Sequence, residues 1–234
     1  MTVQATDAPR LDAAREGGWW FRQWAGSRVT AGITNRRVAA AAFLAQAAAP
    51  AGTVEAEQVH GTSLAAVEQP TRSPLPGCDG LMTARPGLAL LIRTADCLPV
   101  FFTDPLQGVV GLAHAGWRGV AAGLPARMVA GLRHYYHSRP EALQVAIGPA
   151  IRACCYEVGP EFARWFEPFL QTRGGRTYCD LIGATVAQLR QAGVRPERLL
   201  DSGVCTACHL EEWFSLRREG AATGRLTSVI LAKA

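Results

Sequence analysis

The stretch LALLIRTADCLPVFFTDPLQGVVGLAHAGWRG, residues 88–119, decides the fold of this chain. It contains three apolar runs, at 88–92, 98–102 and 109–114, each with the length of a buried strand. Small and polar residues separate the runs, and helical spacing of apolar residues follows over 116–135. The stretch therefore predicts three buried strands followed by a helix.

Further strand and helix patterns surround this stretch. Alanine-rich or amphipathic segments predict helices at 35–49, 161–170 and 181–192. Strand-like segments lie at 53–60, 145–147, 213–217 and 228–231, and a proline-rich loop covers 70–78. Strands in runs mixed with helices, without regular βαβ alternation or internal repeats, predict a single-domain α+β fold with a mixed sheet.

The bulk properties predict a cytoplasmic protein. No run approaches the roughly 18 apolar residues needed to cross a bilayer, and the start of the chain lacks the layout of a signal peptide. The seven cysteines suit reduced thiols better than a disulfide framework. Because the net charge of +5 is dispersed, we expect neither a nucleic-acid nor a membrane partner. Composition does not indicate an oligomeric state.

Two histidines and a cysteine stand where apolar runs break into small residues. They are His60 in QVHG, Cys97 in TADCLP and His114 in AHAGWRG. Two imidazoles and a thiolate form a three-ligand zinc set with an open fourth position, which is typical of catalytic zinc. The spacings are too long for a zinc finger, so folding would have to assemble the site. Taken singly, His60 is more typical of a hydrogen-bonded structural histidine, and Cys97 of an inert buried cysteine, so the metal site rests on their combination.

Other polar residues leave alternatives open. Arg118, at a strand-to-helix transition, could hold an anion or pair with a carboxylate. Asp96 could transfer protons or bond to backbone N–H groups, whereas Asp79 has the surroundings of a turn residue. The run CTACH at 205–209 matches the haem-attachment motif, but without an export signal haem is not favoured, and a redox or second zinc role is scarcely better supported.

Several ordered motifs extend over most of the chain. They are QVHG (58–61), DGLMT (79–83), TADCLPV (94–100), HAGWRG (114–119), IGP (147–149), YEVG (156–159), CT (205–206), WFSLRR (213–218) and TGR (223–225). Through them the chain resembles the YfiH-type family, also called the laccase-domain or polyphenol oxidase family and named peptidoglycan editing factor in some bacteria. The resemblance implies a single-domain layered sandwich of mixed sheets and packed helices, similar to cytotoxic necrotizing factors.

The resemblance also implies a zinc-dependent purine nucleoside enzyme. Its metal ligands would be His60, Cys97 and His114, its catalytic residues Cys97, His114 and Asp96, and its substrate-binding residues Gln58 and Arg118. The expected reactions are phosphorolysis of adenosine, inosine and methylthioadenosine, and deamination of adenosine. Zinc can activate water for deamination at C6 of the purine, and phosphorolysis needs donors for phosphate, such as Arg118.

The N-terminal part departs from the family pattern. The family usually has an Arg-x-Gly-Gly stretch, a Ser-Leu-Asn-Leu segment and an acidic loop, whereas this chain reads FRQWAGS at 21–27 and continues almost directly to NRR at 35–37. We therefore divide the chain into a poorly defined N-terminal segment, 1–32, shortened relative to the family, and a laccase-type domain, 33–234. Part of the substrate pocket is expected to be shortened or rebuilt.

Three other functions compete with the nucleoside enzyme. Cys97 as nucleophile and His114 as base would form a Cys–His hydrolase that edits muramic-acid-nucleotide precursors of peptidoglycan. The chain has five histidines, too few for the copper sites of a multicopper oxidase, so phenol oxidation would need adventitious copper. A non-catalytic zinc protein would need a fourth protein ligand, and the sequence shows no convincing one.

Overall fold

A computed structural model of the chain describes residues 11–14, 17–21, 24, 28–49 and 51–233, and the strands of this part form three sheets. The first sheet has the strand order β1 (Leu11–Ala13), β2 (Trp19–Phe21), β3 (Val29–Ile33), β15 (Leu226–Ala232), β7 (Ala89–Thr94) and β4 (Thr53–Glu55). Neighbours are antiparallel, except that β4 runs parallel to β7.

The second sheet contains the strands nearest the candidate site. Its order is β14 (Leu199–Asp201), β10 (Gln144–Ile147), β8 (Leu98–Asp104), β9 (Val109–Ala115), β6 (Gly80–Thr83) and β5 (Leu64–Ala66). Both outer pairs are parallel and the inner pairs are antiparallel, so this sheet is mixed. A small antiparallel sheet adds β11 (Glu157–Val158), β13 (Arg176–Cys179) and β12 (Leu170–Arg173).

Helices complete the described part of the fold. They are α1 (Ala40–Ala47), α2 (Trp117–Ala121), α3 (Leu124–Tyr136), α4 (Ala163–Phe166), α5 (Leu181–Gln191) and α6 (Leu216–Glu219). Phe43 of α1 stacks on Trp20 of the first sheet with ring centroids 4.3 Å apart. The side chain of Asp180 caps α5 by accepting a hydrogen bond from the N–H of Gly183, at 2.9 Å.

The side chains of β8 alternate between two buried layers of the fold. Phe101 belongs to the core between the two large sheets, where its ring meets Phe21 at 4.8 Å, whereas Phe102 packs in the core beneath α3 and α5. Both side chains are fully buried, because successive residues of a central strand point to opposite covered faces. The result is a layered α+β sandwich with mixed sheets, which confirms the predicted fold class.

The N-terminal segment contributes strands that its weak periodicity did not predict. The described parts of residues 1–32 include β1, β2 and most of β3, which lie at one edge of the first sheet. The structure does not describe residues 1–10, 15–16, 22–23 and 25–27. These include most of the FRQWAGS stretch, the part of the sequence that departs from the family pattern. The proposed division at residue 32 stays a prediction.

The three strands predicted within residues 88–114 are confirmed as β7, β8 and β9, and the wrong predictions elsewhere have local physical causes. The predicted strand at 213–217 is wrong: α6 begins at Leu216, and Ser215 caps it by accepting the N–H of Arg218. The strand predicted over 53–60 ends at Glu55. Beyond it, Gln58 and His60 have φ angles of 65° and 60°, which an extended strand excludes.

Two predicted helices are interrupted. The helix expected over 116–135 divides into α2 and α3 at Gly123, whose φ is 83°. The helix expected over 161–170 is reduced to α4 between two 3₁₀ turns, because Pro168 cannot continue an α-helix. Among the described residues, no helix has the length and apolar character to cross a membrane.

Candidate metal centre and cleft

Three separate elements carry His60, Cys97 and His114, called the three-residue site below. His60 lies in the loop after β4, Cys97 in the turn between β7 and β8, and His114 on β9. Pairing of β8 with β9 sets Pro99 opposite His114 and so fixes Cys97 near that histidine. One ligand atom from each residue falls within 4.8 Å of the others. Cys97 Sγ is 4.0 Å from His60 Nε2, and the two imidazole rings are nearly perpendicular, at 85°.

Asp79 orients both histidines, although its sequence pattern indicated only a turn. Its Oδ1 lies 2.8 Å from His114 Nδ1, which leaves Nε2 of that ring for the cluster. Its two oxygens also accept the N–H groups of His60, at 3.0 Å, and Gly61, at 2.7 Å. The side chain is fully buried. The DGLMT motif is the sequence signal that could have indicated a role for Asp79 in the site. The glycines on either side of this aspartate are typical of a turn and favoured that interpretation instead.

The charges within the site favour the thiolate form of Cys97 and the protonated form of His114. Burial opposes ionisation of Cys97, but hydrogen bonds and charge from His114 and His60 outweigh it and lower the thiol pKa to about 6. Burial likewise opposes protonation of His114, but Asp79 and Cys97 raise its pKa to about 9. Without a metal, Cys97 and His114 therefore form a thiolate–imidazolium pair at neutral pH.

The donor set fits a metal such as zinc. Zn–S and Zn–N bonds of about 2.3 and 2.0–2.1 Å around a tetrahedral ion place sulfur and nitrogen about 3.5 Å apart. The observed 4.0 Å between Cys97 and His60 needs only a small adjustment. A bound cation would displace the proton of His114, whose Asp79 contact already fixes the ring. The three-residue site can therefore hold a metal.

Gly116 leaves room for the side chains of His60 and Cys97. A Cβ at this position would lie 2.9 Å from His60 Cδ2 and 3.4 Å from Cys97 Sγ. Because φ of Gly116 is −72°, alanine suits its backbone, and the clash falls on the ligand side chains. We expect Gly116→Ala to preserve the melting temperature and weaken zinc binding by roughly tenfold, measured by competition with a chromophoric chelator.

Gly61→Ala is the matched control, because its Cβ would approach no atom closer than 3.5 Å. This variant should bind zinc like the wild type. Equal affinities for Gly116→Ala and Gly61→Ala would show that His60 and Cys97 are not ligands in the described geometry.

A cleft of about 400 Å³ opens beside the three-residue site. Its lining includes His60 and Cys97, the rings of Trp117 and Tyr156, and Arg118. The guanidinium of Arg118 lies over the Trp117 ring, 4.5 Å from its centroid. The cleft thus combines aromatic side chains with an exposed cation next to the three-residue site.

The other predicted site residues have defined hydrogen bonds. Asp96 accepts from the hydroxyls of Thr206 and Ser215, at 2.6 and 3.1 Å, and from the N–H of Arg217, at 2.7 Å. It thereby anchors the start of α6, and its role in proton transfer stays a prediction. The amide of Gln58 is paired with the backbone of Arg93 through both its oxygen and its nitrogen. These bonds position the His60 loop, and substrate binding by Gln58 stays a prediction.

The segment at 35–37 lies against the wall that α6 forms. The N–H of Arg37 donates to Asn35, and the Asn35 amide donates to Glu212 at 3.4 Å. Arg36 pairs with Glu219 of α6 at 2.7 Å. Residues 35–37 therefore support the α6 side of the cleft.

Comparison with known proteins shows the family to which this chain belongs. The model of the family described as multi-copper polyphenol oxidoreductase laccase matches residues 25–233. The chain belongs to this laccase-domain family. It is 38% identical over 191 residues to purine nucleoside phosphorylase YlmD of Geobacillus stearothermophilus, an alignment that covers 74% of this chain and 70% of that protein.

A solved structure and a second relative extend the comparison. The crystal structure of YlmD from Geobacillus stearothermophilus superposes with a TM-score of 0.88 at 30% identity, covering 97% of this chain and 100% of that one. A protein from an unknown prokaryotic organism, adenosine deaminase RL5, is 31% identical over 193 residues, covering 75% of this chain and 73% of its own. The YlmD structure confirms the layered fold and its single domain.

The copper chemistry in the family description does not match the histidines. All five histidines of the chain lie in the described part, and only His60 and His114 meet at the three-residue site. His134 lies on α3, while His137 follows that helix and His209 lies near α6. A trinuclear copper cluster beside a His₂Cys copper needs more histidines than these positions bring together.

Proposed function

We propose that this protein is a zinc-dependent purine nucleoside enzyme. The observation that carries the proposal is the three-residue site, braced by Asp79, at the edge of a cleft with aromatic walls and a cationic side chain. The names of YlmD and RL5 support phosphorolysis of purine nucleosides and deamination of adenosine as its reactions. As substrates of the phosphorolysis we propose adenosine, inosine and methylthioadenosine.

Each residue has a physical task in this proposal. Zinc at the site would supply Lewis acidity and activate water. His60, Cys97 and His114 would hold it, and Asp79 keeps the His114 ring in the required tautomer. The faces of Trp117 and Tyr156 suit a planar purine.

The decisive experiment measures turnover of the zinc-loaded protein on adenosine, inosine, methylthioadenosine and muramic-acid nucleotides, with and without phosphate. We expect phosphate-dependent release of free base and phosphate-independent conversion of adenosine to inosine, both absent in Cys97→Ala. Turnover of muramic-acid nucleotides alone would overturn the proposal. Stoichiometric copper in protein purified without added metal would overturn the assignment of zinc as the metal.

Arg118 is the candidate for holding phosphate. Charge-assisted hydrogen bonds contribute about 1.5–3 kcal/mol, so Arg118→Ala should raise the phosphate KM by at least roughly tenfold. Adenosine deamination, which uses no phosphate, should change little. Arg127→Ala, an exposed arginine on α3, is the control. An unchanged phosphate KM and phosphorolysis rate in Arg118→Ala would remove this residue from the phosphate site.

A second candidate function rests on the ionisation of Cys97. The lowered thiol pKa and the His114–Asp79 contact also describe a Cys–His–Asp nucleophilic set, as a hydrolase of peptidoglycan precursors would need. Metal dependence separates the two. Inhibition by chelators favours zinc, whereas activity that survives metal removal and is lost on thiol alkylation favours the nucleophile.

A further inference from the structure

Four cysteines form a second cluster, separate from the three-residue site. The sulfur atoms of Cys154, Cys155, Cys205 and Cys208 all lie within 4.8 Å of one another. The sequence indicated only the Cys-x-x-Cys pair at 205–208, because the other pair lies far away along the chain. Folding thus brings two cysteine pairs to one place.

Each pair lies in a hydrogen-bonded turn. The N–H groups of Cys155 and Tyr156 both donate to the carbonyl of Arg152, at 2.8 Å. In the second turn, the N–H of Cys208 donates to the carbonyl of Cys205, at 3.2 Å. Closure of the second turn places its first and last side chains, those of Cys205 and Cys208, side by side, as in Cys-x-x-Cys metal knuckles.

Backbone and side-chain hydrogen bonds hold the two turns together without help from the sulfurs. Ala150 and Cys205 form a parallel bridge, and the N–H of Thr206 donates to the carbonyl of Ala150 at 3.1 Å. Arg152 makes a bidentate pair with Asp201, at 2.7 and 2.6 Å. The cysteine cluster is therefore a consequence of the fold and is organised in advance for a ligand.

The distances favour one metal ion over a disulfide. Cys208 Sγ lies 3.6 Å from Cys154 Sγ and 3.4 Å from Cys155 Sγ, so it is shared almost equally between two partners. A disulfide would bond it to one of them at about 2.05 Å. Four thiolates around a single tetrahedral Zn²⁺, with Zn–S bonds of about 2.3 Å, would lie about 3.8 Å apart.

Charge and access also suit a cation. Arg218 Nη2 lies 3.6 Å from Cys155 Sγ, and its Nε donates to the carbonyl of Ala207 at 3.2 Å. This guanidinium offsets part of the negative charge that four thiolates retain around a divalent ion. Cys154 and Cys208 are exposed, so an ion can enter from solvent.

We infer that Cys154, Cys155, Cys205 and Cys208 bind one Zn²⁺ as a closed, four-thiolate structural site. With every position filled by protein, the ion has no place for substrate. The ion would link two segments behind the cleft. Ile151 and Tyr156, on either side of the first cysteine pair, line the cleft, and Thr206, between the cysteines of the second pair, donates a hydrogen bond to Asp96.

The test uses the Cys97→Ala protein, in which the three-residue site is disabled. After zinc loading and desalting, we expect it to retain about one zinc equivalent, and the Cys97→Ala/Cys208→Ser protein to retain almost none. Co²⁺ in place of zinc should give the intense sulfur-to-cobalt charge-transfer band of a multi-thiolate site, and this band should also be lost with Cys208→Ser. Cys154→Ser, at the other exposed position, should weaken the band independently.

His209→Ala is the matched control, because it alters the exposed residue next to Cys208 and removes no thiol. It should leave zinc content and the cobalt spectrum unchanged. The inference fails if the Cys97→Ala protein retains no zinc, or if Cys208→Ser leaves its zinc content intact. It also fails if mass spectrometry of protein purified anaerobically with blocked thiols finds a disulfide between Cys208 and either Cys154 or Cys155.

Discussion

Replacing Asp79 with alanine is expected to lower zinc affinity at the three-residue site by about 10–100-fold. The substitution removes the acceptor of the His114 Nδ1 hydrogen bond and of the N–H groups of His60 and Gly61. Because this carboxylate is fully buried, the free energy of unfolding of the metal-free protein should fall by about 3–5 kcal/mol as well. One residue thus links the stability of the fold to the geometry of the site.

Chelator competition and urea denaturation measure these two effects. Asp104→Ala is the matched control, because Asp104 is a buried carboxylate at the far end of β8 that accepts the N–H groups of Leu106 and Gln107. It should lose stability without losing zinc affinity. Wild-type affinity in Asp79→Ala would mean that the Asp79 contact does not orient a metal ligand.

The sequence predicts the central strands well for a physical reason. The runs that became β7, β8 and β9 are almost entirely buried and apolar on both faces, so burial alone determines their state. The three-residue site was also visible in the sequence, because Cys97 separates two of these runs, His114 ends the third, and His60 ends a segment predicted as a strand. What the pattern could not supply was the carboxylate behind the histidines, since Asp79 has the local surroundings of a turn.

The failures occur where single contacts decide the structure. Ser215 and the carboxylate of Asp96 convert a strand-like run into the start of α6, through a cap and a hydrogen bond to the N–H of Arg217. His60 leaves the strand pattern because Asp79 holds its loop in a left-handed conformation. The edge strands β1 and β2 owe their order to pairing across the sheet, which local periodicity does not encode.

Replacing Cys97 with alanine is expected to reduce nucleoside turnover by at least about a thousandfold, because Lewis acidity of a bound metal contributes several kcal/mol to catalysis. The zinc content should fall by the equivalent held at the three-residue site. This result alone does not separate the two candidate functions, since Cys97 is the ligand in one and the nucleophile in the other.

Cys97→Asp separates them. Two histidines and a carboxylate form an established type of catalytic zinc set, so the aspartate variant should retain zinc at the three-residue site and recover part of the activity that Cys97→Ala loses. A thiol nucleophile has no such substitute at this position, and a Cys–His hydrolase would be as inactive with aspartate as with alanine. Zinc content and nucleoside turnover measured on the same three proteins therefore decide between metal and thiolate chemistry. If Cys97→Asp retained zinc yet showed no more turnover than Cys97→Ala, the metal would have no catalytic role and the thiolate would be the reacting group.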